Sequence, residues 1–165
     1  MTRRLIVLAV VTSVFVTIAL PAMAVPPETN SFQFVDEFTD EEACDFPVEV
    51  RFVGGGTERL FFDRAGNLDK VIVKLSDDGT ATNPVNVKTV KGHDAWTIII
   101  EFENGEPVTE TNAGLLFHFN APGHGIVLID AGRVVFDLQT FEVVVVNGPH
   151  QALEGDFAAL CAALS

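Results

Sequence analysis

The chain has no tyrosine, one tryptophan, two cysteines and few basic residues, and these shortages exclude several classes of function. Lys and Arg number 10 against 23 Asp and Glu, which gives a net charge of −13. Because binding to phosphates requires clustered Lys and Arg, nucleic acid is excluded as a partner, and anionic membrane surfaces are disfavoured. The charge predicts a soluble acidic protein, with a cationic partner or divalent cations as the sharper alternatives.

Side chains for nucleophilic catalysis are also scarce. Beyond residue 24 the only serines are Ser31, Ser76 and Ser165, and none lies in a nucleophile-elbow pattern, which argues against a serine hydrolase. Gly54-Gly55-Gly56 joins two predicted strands and does not precede a helix, so no phosphate-binding loop is predicted. We therefore expect no cofactor, and an enzyme is the less favoured class.

The first 24 residues follow the order of a secretory signal peptide. Arg3 and Arg4 precede an apolar run over residues 5–20, and Pro21 is followed by Ala22-Met23-Ala24. A membrane anchor is the alternative, but 16 residues are short for a bilayer core that needs about 20. The pattern predicts cleavage after Ala24 and secretion to the cell envelope or beyond, without a stable membrane anchor. Removing the two arginines of this segment changes the net charge from −13 to −15.

Two cysteines remain, Cys44 and Cys161. In an oxidising compartment an isolated pair usually forms a disulfide, which would join the start of the domain to its last helix. Two buried thiols are the alternative.

Residues 25–46 are predicted as an acidic N-terminal leader, and residues 47–165 as a β domain with a C-terminal helix. Apolar residues recur at every second position, which indicates strands with one buried face. About nine such strands are expected, around residues 48–52, 60–62, 71–75, 85–87, 96–102, 115–119, 126–128, 134–138 and 141–145.

Turn-forming residues fill most of the gaps between these strands. Asn104-Gly105 is the strongest hairpin signal, because both residues tolerate the positive φ of a tight primed turn. The other predicted turns and short links are residues 54–56, 64–67, 77–79, 131–132 and 139–140. Short links imply antiparallel pairing, so we predict an all-β meander, as an up-and-down barrel with a β-sandwich as the alternative.

The end of the chain has a different period. Asp156 is a candidate helix cap, and Phe157, Leu160, Cys161 and Leu164 follow at the spacing of one helical face. Cys161 is therefore expected to point inward, where a bridge to Cys44 can form.

Three arrangements of polar residues are candidate sites, each with a structural alternative. His118 and His124 flank a turn, but their spacing matches no metal-binding signature, and no metal site is predicted. Acidic turns at residues 63–69 and 77–79 supply oxygens for calcium without the EF-hand spacing. The strand acids Glu101, Glu103, Glu110 and Asp130 include potential glycosidase pairs, although outward-facing charges explain them equally.

The inward-facing set is rich in large apolar residues, and a small barrel can be solid or can enclose one small ligand. The candidate cavity-lining residues are Trp96, Ile98, Ile100, Phe102 and Phe117. Our leading hypothesis is a non-enzymatic secreted domain that binds a small apolar ligand or a protein partner. The alternatives are a carboxylate-based hydrolase or isomerase, and a structural envelope protein.

Several short segments carry a resemblance to known proteins. They are Cys44-Asp45-Phe46-Pro47-Val48, Phe62-Asp63-Arg64-Ala65-Gly66, Asn83-Pro84, Gly148-Pro149-His150 and Leu160-Cys161-Ala162-Ala163-Leu164. Together they resemble a group of small exported actinobacterial proteins with a two-cysteine frame. The resemblance implies location and fold, and no activity.

Overall fold

The computed structural model describes residues 26–165, so the predicted signal peptide with Ala22 and Ala24 lies outside the described residues. The described chain forms seven strands followed by two short helices. Their bounds are β1 Glu28–Asp40, β2 Val48–Phe62, β3 Leu68–Thr82, β4 Thr89–Glu103, β5 Glu106–Ala121, β6 Gly125–Asp137, β7 Val143–Asn147, α1 Gln151–Glu154 and α2 Ala158–Leu164.

The strands form one antiparallel sheet in sequence order, from β1 to β7. This confirms the all-β meander. Within residues 26–165, β1 and β7 do not pair with each other, so the sheet is not closed into a barrel. Neither helix in this part of the chain is long and apolar enough to cross a bilayer.

Three of the predicted turns are wrong, and the strands are therefore fewer and longer than predicted. Two of these turns lie where two predicted strands are one continuous strand, the predicted strand at residues 85–87 is absent, and β1 is an additional strand. Residues 54–56, 77–79 and 131–132 lie inside β2, β3 and β6. The ladder is continuous through them, since Gly54 pairs with Asp77 and Asp77 pairs with Asp94. Pairing on both sides supplies the backbone hydrogen bonds that override the local turn preference of Gly and Asp.

Two predicted strand segments are turns. Val85 and Val87 are exposed in the link from β3 to β4. The backbone N–H of Val85 donates to the side-chain oxygen of Asn83, and that of Val87 donates to the backbone oxygen of Asn83. Phe141 is also exposed and has a φ of 59°, so the last strand begins at Val143. By contrast, the turn at Asn104-Gly105 is confirmed, with φ of 53° and 85°.

The sheet curls strongly around its inner face, the face that carries Phe52, Asp77, Asp94 and Phe117. Strands in a sheet are about 4.8 Å apart, so three spacings would put β2 and β5 about 14 Å apart in a flat sheet. The rings of Phe52 on β2 and Phe117 on β5 are nevertheless only 6.0 Å apart between centroids. The inner face is therefore deeply concave.

The main core lies at one end of this face, beneath the two helices. Leu160 and Leu164 of α2 pack against a cluster that includes Val48, Val90 and Leu128. The predicted inward face of the helix is thus confirmed, whereas α1 was not predicted. Asn83 and Asn86 fasten the helix by donating hydrogen bonds of 3.0 and 2.9 Å to the carbonyl oxygen of Leu164.

The predicted disulfide is confirmed. Cys44, in the link from β1 to β2, is bonded to Cys161 of α2, with Cα atoms 5.6 Å apart. A loop of this size is worth about 4–5 kcal/mol in chain entropy. A structural disulfide also implies an oxidising, non-cytosolic environment.

Part of the segment predicted as a leader belongs to the sheet. Residues 28–40 form β1, which pairs with β2 along its whole length. Within the described residues the other edge of β1 pairs with no strand. This strand supplies one wall of the concave face.

Candidate functional site

Two buried carboxyl groups lie opposite each other in the middle of the inner face. Asp77 of β3 and Asp94 of β4 are cross-strand partners, and their exposed fractions are only 4% and 1%. Directly opposed residues on one face have Cβ atoms about 5 Å apart, so the two carboxyl groups interact. The sheet thus places an acid pair where a β domain normally has apolar side chains.

This acid pair lacks normal hydrogen-bond partners. Among residues 26–165, Oδ1 of Asp77 and both carboxyl oxygens of Asp94 are buried and make no hydrogen bond of good distance and angle. The nearest polar groups are the two carboxyl groups themselves and, for Asp94, the backbone N–H of His118. Leaving a buried polar group unsatisfied costs about 1–3 kcal/mol, and more for a charged one. Such groups are rare in native proteins, and each one requires a physical explanation.

Burial raises the pKa values of both acids. Desolvation, followed by the nearby Asp77 carboxylate, raises the pKa of Asp94 from 3.8 to about 7, although the backbone N–H of His118 acts in the opposite direction. Desolvation is also the main cause of the raised pKa of Asp77, which the charge of His93 partly offsets. The two groups titrate as a coupled pair, which near neutral pH retains at least part of one negative charge.

The acid pair lies in an apolar cleft of about 560 Å³. This volume falls within the range of small-molecule sites, about 300–1,000 Å³. Five strands contribute to its walls, which consist of Phe34, Val35, Asp36, Phe38, Phe52, Leu75, Asp77, Asp94, Trp96, Leu116 and Phe117. A smaller cavity of about 130 Å³ continues beneath the helices and shares Phe38, Phe52 and Phe117 with the cleft.

Glycine and an irregular strand pairing make the space for this cleft. A Cβ atom on Gly54 would overlap the backbone and Cβ of Asp77, and one on Gly79 would come within 2.8 Å of the Phe52 ring. The pairing of β4 with β5 also shifts register between Gly92 and Ala95, next to Asp94. Such bulges bend a strand and redirect its side chains, and they occur frequently beside active sites.

The structure places the predicted cavity residues in two groups. Trp96 and Phe117 line the cleft. Ile98, Ile100 and Phe102 follow Trp96 along β4 and are half-buried, but they do not line the cleft. The cleft therefore lies nearer the helix-covered end of the sheet than these three residues do.

The four strand acids named from the sequence do not form a catalytic pair. Glu101 is exposed, where it pairs with Lys70 at 3.3 Å, and Glu103 is also exposed. Glu110 accepts a hydrogen bond of 2.6 Å from Asn112. Asp130 is buried and bonded to His150, as described below.

The turn and histidine candidates have structural roles. Oδ1 of Asp63 accepts hydrogen bonds from the backbone N–H groups of Ala65 and Asn67, and bonds from Asn67 lower its pKa. His118 contacts Asn120 on its own strand, and His124 is exposed in the following turn. Within the described part of the chain, no three His, Cys, Asp or Glu residues are grouped to hold a metal ion.

A second buried polar pair joins the first helix to the sheet. His150 is 1% exposed, and its Nδ1 lies 2.5 Å from Oδ1 of Asp130 and its Nε2 3.2 Å from the carbonyl oxygen of Asn147, both at hydrogen-bonding distance. The other Asp130 oxygen accepts from the Ala152 backbone N–H at 3.1 Å. His150 is thus a buried residue of the link between β7 and α1, and its partners fix the position of α1.

Sequence reasoning missed Asp77 and Asp94 as a pair, although a signal for them exists. Val71, Val73 and Leu75 alternate on β3, and the same parity continues through Asp77 and Gly79 to Ala81. On β4, Asp94 shares the parity of Trp96 and Ile98. An acid at an inward-facing position on each of two neighbouring strands predicts a buried pair, once the strands are recognised as long enough.

Comparison of the chain with protein-family models, with curated proteins and with solved structures finds no match.

Proposed function

We propose that this protein binds a small, largely apolar ligand in the cleft on the inner face, with the acid pair as its polar anchor. The observation that carries the proposal is the set of three buried carboxyl oxygens without well-formed hydrogen bonds in a cleft lined mainly by apolar side chains. Ligand sites combine apolar walls with a few polar groups that orient the ligand. A ligand that donates hydrogen bonds would satisfy the oxygens that the folded chain leaves unpaired.

The cleft also distinguishes this function from a structural envelope role. A solid core would favour a protein that only fills space, whereas here five strands leave a concave space open. The aromatic side chains Phe34, Phe52, Trp96 and Phe117 offer large contact areas to a ligand. We therefore favour binding over a purely structural role.

Trp96 provides the experiment. It is the only tryptophan in a chain without tyrosine and it lines the cleft, so its fluorescence reports occupancy directly. We expect 1-octanol, an uncharged apolar probe with one hydroxyl group, to change the emission of Trp96 in a saturable manner with one site per chain. The absence of any saturable change would contradict the proposal.

A pair of matched variants locates the binding. Leu75→Trp places an indole in the cleft beside Trp96, because Leu75 and Trp96 are cross-strand partners. Ile72→Trp makes the same change on the opposite face of β3. Calorimetric titration with 1-octanol should show a loss of affinity of about tenfold for Leu75→Trp, about 1.4 kcal/mol, and no loss for Ile72→Trp. Equal affinities of two folded variants would place the site elsewhere.

Acid–base catalysis is the second candidate function, and the raised pKa of Asp94 favours it. A carboxyl group with a pKa of about 7 can exchange protons efficiently at neutral pH, as an isomerase or hydrolase requires. The generic probe 5-nitrobenzisoxazole tests this, because a carboxylate base removes its carbon-bound proton while its N–O bond breaks to give a phenolate. Proton abstraction that increases through about pH 7 and disappears in Asp94→Asn would support catalysis. A rate equal to the buffer background would contradict it.

We further propose that the protein is secreted, with residues 1–24 as its signal peptide. The disulfide and the N-terminal charge and hydropathy pattern support this proposal. The mass of the protein from the culture medium of a secreting host tests it. A chain beginning at Val25 is expected, and retention of the intact N-terminus inside the cell would contradict it.

A further inference from the structure

The unpaired oxygens of the acid pair specify which kind of polar group the cleft accepts. Carboxylate oxygens accept hydrogen bonds, so the missing partner is a donor. The oxygens belong to two side chains that face each other across β3 and β4. One donor group with two or more hydrogens can therefore bridge both acids.

The charge of the cleft further limits the class of ligand that it can bind. The side chains of Asp36, Asp77 and Asp94 contribute to its lining, and within residues 26–165 no Lys, Arg or His does so. A buried carboxylate without a counter-charge is strongly disfavoured, and a cation is the group that compensates it. An anionic ligand such as a fatty acid would instead be repelled.

The walls of the cleft suit an organic cation. Phe34, Phe38, Phe52, Trp96 and Phe117 all contribute to the lining. The faces of aromatic rings attract ammonium groups, most strongly for Trp and in sites shielded from water. Apolar walls also favour the hydrocarbon part of the same molecule.

We propose that the ligand of this cleft is a small apolar amine, bound as its ammonium ion, with N–H groups donating to Asp77 and Asp94. This inference rests on the proposed ligand-binding function and deepens it by naming the chemical class. The acid pair supplies the counter-charge, and the aromatic walls hold the hydrocarbon part. The overall net charge of −13 adds long-range attraction for a cation.

Other ionisable groups near the pair bear on how binding depends on pH. Asp36 faces the same cleft from β1 and is exposed. His93 and Asp78 form an exposed pair of 3.0 Å on the outer face, and the side chain of His118 also belongs to that face of the sheet. The acid pair is buried at the position proposed for the ammonium group. Protonating the pair at low pH removes the negative charge that the ammonium group binds, so amine binding should weaken.

Three probes of equal chain length separate the alternatives: octylamine, 1-octanol and octanoate. Each is titrated at pH 8 with Trp96 fluorescence as the readout. We expect octylamine to bind about tenfold more tightly than 1-octanol or better, since hydrogen bonds to charged groups are worth more than neutral ones. Octanoate should bind most weakly. Repeating the octylamine titration at pH 5 should lower its affinity by about tenfold and leave that of 1-octanol unchanged.

Variants assign the preference to the acid pair. The double variant Asp77→Asn/Asp94→Asn keeps the size of both side chains and should reduce the preference for octylamine over 1-octanol to about twofold or less. Asp78→Asn, next in sequence but exposed on the opposite face, should retain the full preference. Titration at about 0.5 M salt serves as a further control, because exposed charges are then screened and the buried pair is not. A preference for octylamine that comes from the acid pair should therefore persist at this salt concentration.

The outcomes are distinguishable. Equal affinity for octylamine and 1-octanol would overturn the inference of an amine ligand and leave ligand binding intact. The same holds for a preference that survives in the double variant or disappears in Asp78→Asn. If none of the three probes changes the emission of Trp96, ligand binding itself fails and the inference fails with it.

Discussion

The inner face of the sheet contains two buried polar pairs that differ in how their atoms are satisfied. Asp130 and His150 have a hydrogen-bond partner for each carboxyl oxygen and each ring nitrogen, supplied by one another and by the backbone. Asp77 and Asp94 are equally buried, yet in the described chain three of their carboxyl oxygens are fully buried without a well-formed hydrogen bond.

The difference indicates that Asp130 and His150 stabilise the fold, whereas Asp77 and Asp94 are buried for a reason other than stability. Completed networks of buried polar groups add rigidity and position the elements they connect. Asp130 and His150 do this for β6 and α1. An incomplete pair lowers stability and is retained where a function requires it.

The largest expected effect comes from breaking the completed pair. His150→Ala removes the partner of Asp130 and leaves a buried carboxyl group with an unpaired oxygen. We expect the free energy of unfolding to fall by about 3–5 kcal/mol, as measured by denaturant titration. A loss below about 1 kcal/mol would show that the pair does not support the fold, and the contrast between the two pairs would fail.

For the incomplete pair, Asp77 and Asp94, we expect the opposite effect on the free energy of unfolding: removing its charge should raise it. The pKa of Asp94 is about 7 in the folded protein against 3.8 for an aspartate in water, so the folded chain binds the proton more tightly. Stability should therefore fall as the pH rises from about 4 to about 7, and stay low above it. At 1.36 kcal/mol for each pKa unit, the loss is at most about 4 kcal/mol.

Asp94→Asn tests this sign, because the amide keeps the size of the side chain and cannot ionise. At pH 8 the variant should be more stable than the parent protein by about 2–4 kcal/mol, and at pH 4 the gain should vanish. Thermal unfolding followed by circular dichroism at both values measures it. A variant less stable than the parent at pH 8 would mean that Asp94 contributes to folding as a carboxylate.

The smallest effect is expected outside the cleft. Asp78→Asn removes the exposed hydrogen-bonded partner of His93, and exposed ion pairs contribute little. The free energy of unfolding should change by less than about 0.5 kcal/mol, in the same denaturant titration. A change of several kcal/mol would show that the outer face also depends on charge, and that burial does not explain the contrast.

The sequence predicts the sheet better than the site. Strict alternation around Trp96, the Asn104-Gly105 turn and the pair Cys44 and Cys161 depend on local preferences or on counting, and all are confirmed in the structure. Strand length depends on pairing with neighbours, which overrides local signals such as Asp77-Asp78-Gly79.

That misassignment also concealed the site. A turn would leave Asp77 in solvent, whereas a strand with the parity of Val71 and Ala81 buries it. The contact with Asp94 depends further on the register between β3 and β4, and the cleft depends on the curl that brings Phe52 near Phe117. Neither register nor curl is determined by the residues of a single strand.

In the part of the chain that the structure describes, the outer edge of β1 pairs with no strand, and this has a practical consequence. A long unpaired edge is a template for strand addition from another molecule, and β1 carries the exposed apolar residues Phe32, Val35 and Phe38. The acids Glu28, Asp36 and Asp40 lie on the same strand, and mutual repulsion between such acids on two molecules opposes edge-to-edge stacking. Concentrated samples should therefore remain clear at low ionic strength and thicken into fibrous or gelled material when added electrolyte weakens that repulsion.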